Sequence, residues 1–466
     1  MTATVNNGGQ PGAAPGATTY ARRLGLFSGT MAVIGGIIGA GIFRTPAAVA
    51  QRVPSSGAAL GAWILGGVIA LLGAFCFAEL GQRRPKAGGG YVYLREAWGP
   101  LPAFLYGWGL LLVIATGAIA AVAVTFASYA LALGRLPDRF TVPVAVAAII
   151  LLSAVNYVGV KPAAVTQNVF TLLKLVALAA LIICGLSAGP YHPPPTAQPS
   201  NAEVGSLFAG IGAALTPILF TYGGWQQTNF IAEEIVDPQR TLPRAIVLGV
   251  TGVVIVYLLA NLGYLRVLGH AGLAASTAPA ADLMRVRLGP LGGSLIAAGI
   301  AVSSFGFLNL VILVTPRVFQ AMAADGLFFS RLAELHPVYR TPTAAILLQA
   351  SWAVVLTLTG TFAQLVDYVA FGDWIFFGLT AAAVFRYRGR DGVGGSGQAS
   401  GSFRIPGHPW TTGLFVLSAA YVVISSVLAS PRNALIGSGL LALGLPVYGY
   451  WHGRSHRRMH GLRRRS

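Results

Sequence analysis

One charged residue lies where charge is expensive. Lys174 sits in the apolar run LLKLVALAALII, about a third of the way into a hydrophobic stretch over 165–188. A charge inside such a stretch costs free energy and by default marks function, and this one is too far in for its ammonium to snorkel easily to a membrane surface. Two glycine-rich segments raise a second question of chemistry. GIIGAGIF spans Gly36 to Phe43, with Gly35 before it and Pro46 after it; TPILFTYGGW spans Thr216 to Trp225, with Pro217 and Gly223–Gly224 inside it. Proline removes a backbone donor and glycine accepts non-helical conformations, so both segments predict interrupted helices. Side chains for covalent chemistry are missing as a constellation. Cys76 and Cys184 fall in apolar runs, where a thiol packs as a small hydrophobe. The seven histidines are scattered without ligand spacing. No metal, cofactor or catalytic residue is predicted, and an embedded enzyme would need a cluster of His, Asp, Glu or Cys at membrane depth.

The elements that position these residues follow from composition. Of 466 residues, 55% are hydrophobic and 9% charged, too few charges to coat a water-soluble globule of this size. About twelve apolar runs are long enough to approach the ~20 residues that cross ~30 Å of hydrocarbon. They lie near 24–48, 57–81, 101–133, 141–159, 165–188, 205–233, 244–268, 288–322, 343–360, 363–386, 409–429 and 433–452. The predicted class is an all-α polytopic membrane protein. The two glycine-rich segments open consecutive five-helix blocks, about 22–188 and 205–388, which is the pattern of an inverted repeat with a binding site at the midplane. Helices 11–12 follow at about 409–452, so residues 19–452 read as a single transmembrane unit. Gly66–Gly67 and Gly292–Gly293 read instead as close helix packing.

Irregular backbone survives in hydrocarbon only where protein or a water-filled cavity surrounds it. A half-helix N-terminus offers N–H groups and partial positive charge to a carboxylate. Backbone at Ile38, Gly39, Ala40 and Gly41 would therefore hold a carboxylate, and carbonyls near Phe220, Thr221 and Tyr222 would accept from an ammonium. That combination suits an amino acid.

A net charge of +18 could point to nucleic acid, but its placement does not. Most Lys and Arg fall in alternate loops and the C-terminal segment 453–466, among them Arg22, Arg23, Arg83, Arg84, Lys86, Arg388 and the cluster from Arg454 to Arg465. This is the positive-inside bias and predicts both termini in the cytoplasm of a cell-membrane protein, with the basic tail against lipid. Residues 1–18 lack a basic residue and a long apolar core, so they read as a disordered tail and not a signal peptide.

Four ordered motifs carry a family resemblance. They are FAELGQRRPKAGGGYVYLREAWGP (Phe77–Pro100), FTYGGWQQTNFIAEEIVDPQRTLPRAI (Phe220–Ile246), SSFGFLNLVILVTPRVFQAMAADG (Ser303–Gly326) and YVAFGDWIFFGLTAAAVFRYR (Tyr368–Arg388). From Arg22 to Trp451 the chain resembles the amino acid–polyamine–organocation superfamily, and within it a prokaryotic member of the L-type amino acid transporter branch. The resemblance implies that Gly39, Ala40 and Gly41 form the unwound first helix, with Ala40 where many relatives have Ser. It implies that Phe220 gates the substrate and that Trp374 lines the pocket. Lys174 would occupy the place of a sodium ion, bridging the first helix to the eighth near Ser303 or Ser304, which implies sodium-independent transport. Gly223 replaces an aspartate common in members that take cationic amino acids, so a neutral substrate is expected. Asp367 and Asp373 complicate this, because Asp373 stands where an uncharged polar residue is common.

Exchange of neutral L-amino acids by alternating access is the expected activity. Proton-coupled uptake stays open, since a buried lysine can release its proton, as does a cationic or polyamine substrate if Asp373 faces the pocket. A sensor on a transporter scaffold would share the motifs without flux. Glu79, Glu233 and Glu234, near Arg83, Arg84, Arg240 and Arg244, are expected in ion pairs of the surface kind at the cytoplasmic helix ends. The loop GRLPDRF (Gly134–Phe140) lacks the cysteine by which eukaryotic relatives join a glycoprotein, so no heavy-chain partner is expected; the substrate and the bilayer are the implied partners.

Overall fold

The computed structural model describes residues 19–187, 189, 204–360, 362–391 and 403–463, with the side chains of 204–206, 208, 362–371, 391 and 455–463 outside the description. The expected N-terminal tail over 1–18 therefore lies outside it, as does the side chain of Asp367. Among the described residues the chain is helical without a ladder of strands; one isolated bridge joins Leu24 to Ile235.

Among the described residues eight helices are long and apolar enough to cross a membrane, including Ser56–Arg83, Val160–Leu186, Pro238–Ala275 and Pro290–Ala324. The remaining predicted runs appear as Thr343–Thr359, Phe362–Asp391 and two interrupted spans. The first span is Leu26–Ile37 followed by a turn of 3₁₀ helix at Gly41–Phe43 and the short helix Thr45–Ala50. The sixth is Val204–Tyr222 followed, after Gly223–Gly224, by the 3₁₀ segment Trp225–Glu234. Packing in the bilayer relies on small residues: a methyl at Gly67 would meet Val254 and the Tyr222 hydroxyl, and Gly185 lies against the backbone of Gly263.

Three features depart from the sequence reading. The fifth span begins at Val160, not 165, so Lys174 lies just past its middle and snorkelling fails as an explanation. Short helices at Gly90–Trp98 and Pro279–Leu288 were not expected, because neither has a span's length or apolarity. The last run is two helices, Pro431–Ala442 and Gly444–Arg463, and the second carries the chain through most of the basic 453–466 segment.

Candidate functional site

The first break forms because helix geometry stops where glycines crowd. Ile38 caps Leu26–Ile37 with extended backbone (φ −75°, ψ 98°) and its amide returns to Ile34 O at 2.8 Å. The amides of Gly39 and Ala40 donate to no protein acceptor among the described residues. In the sixth span, Pro217 lies inside the helix and its carbonyl accepts the Thr221 hydroxyl at 2.8 Å. Gly224 then adopts φ +118°, where a side chain would be strained, and its amide is held by Gln226 Oε1 at 3.0 Å. The two breaks touch. A methyl on Gly36 would come within 3.0 Å of Gly224 O, and one on Gly224 would overlap the Gly36 carbonyl. Only glycine at both positions allows this backbone contact.

Side chains from other spans take up the freed carbonyls. Lys174 Nζ, fully buried, donates to Ile38 O at 2.7 Å and Gly35 O at 3.1 Å. Ser303 on the eighth span makes long bonds to Ile38 O (3.5 Å) and Gly39 O (3.4 Å). Lys174 and Ser303 thus share an acceptor, and the eighth span approaches the lysine through Gly306, where a methyl would sit 3.3 Å from Lys174 Cε. Tyr257 on the seventh span ties the breaks together, donating to Ile37 O at 3.1 Å and lying 3.4 Å from Thr221 O. Sequence reasoning missed Tyr257, since a tyrosine in an apolar helix looks like packing.

A cavity of about 560 Å³ opens between the breaks. Gly39, Ala40, Gly41, Phe220, Thr221, Gly223, Ser304, Asp373 and Trp374 line it, which puts Asp373, left open by the sequence, on the wall. Phe220, 40% exposed, meets the buried Trp374 edge-on with ring centres 6.4 Å apart. Four expected residues lie off its wall. Lys174 and Ser303 act behind it on the first break. Ile38 is fully buried, its carbonyl taken by Lys174. Tyr222 turns away into an aromatic cluster with Trp63 and Tyr257, at 5.6 and 5.2 Å. Both Ile38 and Tyr222 were expected to meet the substrate through their backbone, and neither lines the cavity. Tyr106, Gln226, Gln227 and Phe307 line the cavity without having been singled out. Asp373 is the one carboxylate on the wall and forms no hydrogen bond or ion pair among the described residues. Ser304 Oγ is buried with no partner.

Beyond the breaks, at the basic face, Glu79 and Glu234 form ion pairs that are less exposed than foreseen, Glu79 with the expected Arg83 and with a further arginine. Glu79 takes Arg388 through bonds of 2.5 and 2.8 Å, Arg83 at 2.9 Å and the Ile405 amide at 2.9 Å. Glu234 pairs with Arg317, 1% and 0% exposed, through bonds of 2.7 and 3.2 Å. The surface-pair scale of ~0–1 kcal/mol therefore does not apply to Glu79 or Glu234. Arg84 binds Glu96 at 2.7 Å, whereas Arg240 reaches only Asp237, at 4.0 Å. Asp325, just past the eighth span, binds Arg95 at 2.6 Å and the Tyr91 hydroxyl at 2.9 Å; burial raises its carboxyl pKa, and Arg95 opposes the rise. Among the described residues no group of His, Cys, Asp and Glu could hold a metal.

This is the layout of a membrane carrier with a site between two interrupted helices, and comparison with known proteins decides its family. The amino acid permease family profile aligns with residues 24–449. This chain belongs to the amino acid permease family. It is 33% identical over 446 residues to the large neutral amino acids transporter small subunit 2 of Mus musculus, covering 93% of this chain and 81% of that one. The human b(0,+)-type amino acid transporter 1 is 34% identical over 377 residues (78% and 76% covered). The serine/threonine exchanger SteT of Bacillus subtilis (strain 168) is 31% identical over 433 residues (92% and 96%). The permease is thus a multi-pass amino-acid transporter of the amino acid–polyamine–organocation superfamily and not an enzyme, as its sequence motifs implied.

Proposed function

We propose that the permease exchanges neutral L-amino acids across the cell membrane by alternating access, independently of sodium. The observation that carries this reading is the pair of touching breaks on one cavity, with the Gly39 and Ala40 amides directed to no protein acceptor. Those amides suit a carboxylate; in the sixth span Phe220 O already accepts the Gly223 amide at 3.2 Å and Thr221 O meets Tyr257 at 3.4 Å, and each carbonyl keeps a second lone pair for the ammonium. The Lys174 ammonium stands on carbonyls of the first break, the kind of ligand a sodium ion would otherwise take. The names of the relatives, a large neutral amino acids transporter subunit and a serine/threonine exchanger, support a neutral substrate and exchange. Gly223 on the cavity wall offers no counter-charge for a cationic side chain.

The two five-span blocks, about 22–188 and 205–388, act as halves of an inverted repeat, with both termini in the cytoplasm by the distribution of Lys and Arg. The permease works without a heavy-chain subunit, because the loop Gly134–Phe140 has no cysteine to join one. Substrate shifts the protein between inward and outward states only so far as it binds them unequally.

Counterflow tests the proposal. Proteoliposomes preloaded with unlabelled neutral amino acid should take up labelled substrate faster than empty ones, equally in sodium and choline media. Uptake that rises steeply with sodium, or that ignores preloading, defeats the proposal. A second reading is favoured by Asp373, an unpaired carboxylate on the wall: a cationic substrate, or proton coupling through that carboxylate. Arginine would then compete with neutral substrate, and Asp373→Asn would abolish that competition or the pH dependence of uptake.

A further inference from the structure

A second cavity, of about 470 Å³, opens on the basic face, away from the substrate site. Three separate elements build it. The segment ahead of the first span contributes Ala21 and Arg23; the junction of the fourth and fifth spans contributes Val158 to Pro162; the loop after the eighth span contributes Pro337 to Arg340. Arg23, Lys161 and Arg340 are its charges, and no Asp or Glu lines it. These three cations are exposed and form no ion pair among the described residues. The sequence of residues 1–18 and 392–402 contains no Asp or Glu. The buried carboxylate Glu234, on the element that anchors Arg23, is committed to Arg317.

Each element is held in place. Arg23 and Leu24 donate their amides to Glu234 O at 2.8 and 3.0 Å. In the loop, His336 Nδ1 accepts from the amides of Val338 and Tyr339, both at 3.2 Å, and stacks on the Tyr339 ring at 4.5 Å. Thr341 donates to Tyr157 O at 2.9 Å, fixing the loop to the fourth span. Arg340 is held at φ +53°, a conformation that a non-glycine residue keeps only when its surroundings impose it. Lys161 lies in the first turn of the 27-residue helix Val160–Leu186, whose N-terminus has no side-chain cap and adds partial positive charge. Three cations carried on anchored backbone around one concavity, at the end of a long helix, make a receptor for a multiply bonded anion. The rim is apolar and open to the surroundings, with Val158 49%, Tyr339 39% and Val338 77% exposed.

We propose that this cleft binds the phosphate group of an anionic lipid headgroup, with the acyl chains along the apolar rim. Bound there, the lipid bridges the leading segment of the first span to the junction of the fourth and fifth and to the loop after the eighth. The same chemistry admits free phosphate, but a free ion has no use for the rim.

The test is thermal stability of the full-length purified protein, titrated separately with phosphatidylglycerol, phosphatidylcholine and inorganic phosphate. Each basic residue near an anionic surface is worth about fivefold in affinity, so Lys161→Gln with Arg340→Gly should raise half-saturation by phosphatidylglycerol roughly 25-fold. Glycine suits the φ of Arg340, so that loop should still fold. Arg331→Gln, an exposed cation outside the cleft, should leave the titration unchanged. If the double variant does not fold, Arg23→Gln serves in its place with a rise of about fivefold. A shift reproduced in full by inorganic phosphate would keep the phosphate site and overturn the lipid source. A shift equal with phosphatidylcholine, or undiminished in the variants, would overturn the site itself and leave these cations as topology signals only.

Discussion

The ion pair between Glu234 and Arg317 offers the sharpest quantitative test of what holds the basic face together. Both side chains are buried, joined by bonds of 2.7 and 3.2 Å; Arg317 also donates to Leu313 O and lies over the Tyr20 ring at 5.8 Å. At about 4 Å between charge centres and an effective permittivity near 20, the attraction is ~4 kcal/mol. Desolvation costs several kcal/mol per ion, so the intact pair is close to neutral against an apolar replacement. Half the pair is another matter. Glu234→Gln strands a buried guanidinium and should cost ~3–5 kcal/mol, and Arg317→Met should cost at least as much because its other contacts go too. The double variant Glu234→Gln/Arg317→Met strands no charge, so it should recover about 3 kcal/mol of the summed loss of the two single variants. Graded denaturation of the purified protein measures the three free energies, with a coupling energy on the order of 3 kcal/mol expected. A coupling below ~0.5 kcal/mol would refute the reasoning and make the pair incidental. The same pair links the end of the sixth span to the eighth, so the double variant should be stable yet altered in transport, which proteoliposome uptake would register.

Other perturbations separate the parts of the site. Lys174→Met removes charged bonds worth ~1.5–3 kcal/mol each to Ile38 O and Gly35 O, so uptake should fall at least tenfold while remaining insensitive to sodium. Gly224→Ala should destabilise by more than the roughly 1–2 kcal/mol of its backbone strain, because the methyl also meets the Gly36 carbonyl. Gly252→Ala, with open space around it in a helix, should be neutral or gain ~0.5–1 kcal/mol in the same melting experiment. Phe220→Ala should weaken apparent affinity in uptake assays while the protein melts normally, since that ring is 40% exposed on the cavity.

What the sequence disclosed follows from what is local in it. Span positions rest on runs of apolar residues, and the breaks on Gly36–Gly41 and Pro217–Gly224, so both were readable along one stretch of chain. Lys174 was conspicuous because a charge in hydrocarbon needs a reason. The pairing of Glu234 with Arg317 was not readable, because their contact joins residues 83 apart in sequence and both sit among several candidate partners. The direction of the Tyr222 ring was hidden for a related reason. Backbone position in a break can be inferred from Gly223, but the direction of a ring depends on Trp63 and Tyr257, two other spans. The short helices at Gly90–Trp98 and Pro279–Leu288 lacked the length that made the spans legible.

The two breaks are best understood as one device. Interrupted spans leave polar backbone that lipid cannot satisfy, and the protein meets part of that demand from outside the breaks. Lys174 from the fifth span holds Gly35 and Ile38, while Tyr257 from the seventh reaches Ile37 and Thr221. Because Tyr257 spans both breaks and Gly36 abuts Gly224, neither interrupted span can shift without loading the other. Among the groups without a protein partner in the described residues, the amides of Gly39 and Ala40 are those a carboxylate would complete. A substrate carboxylate there would finish the hydrogen bonding of a structure already closed elsewhere. That leaves it a direct physical means of favouring one arrangement of the two breaks over another.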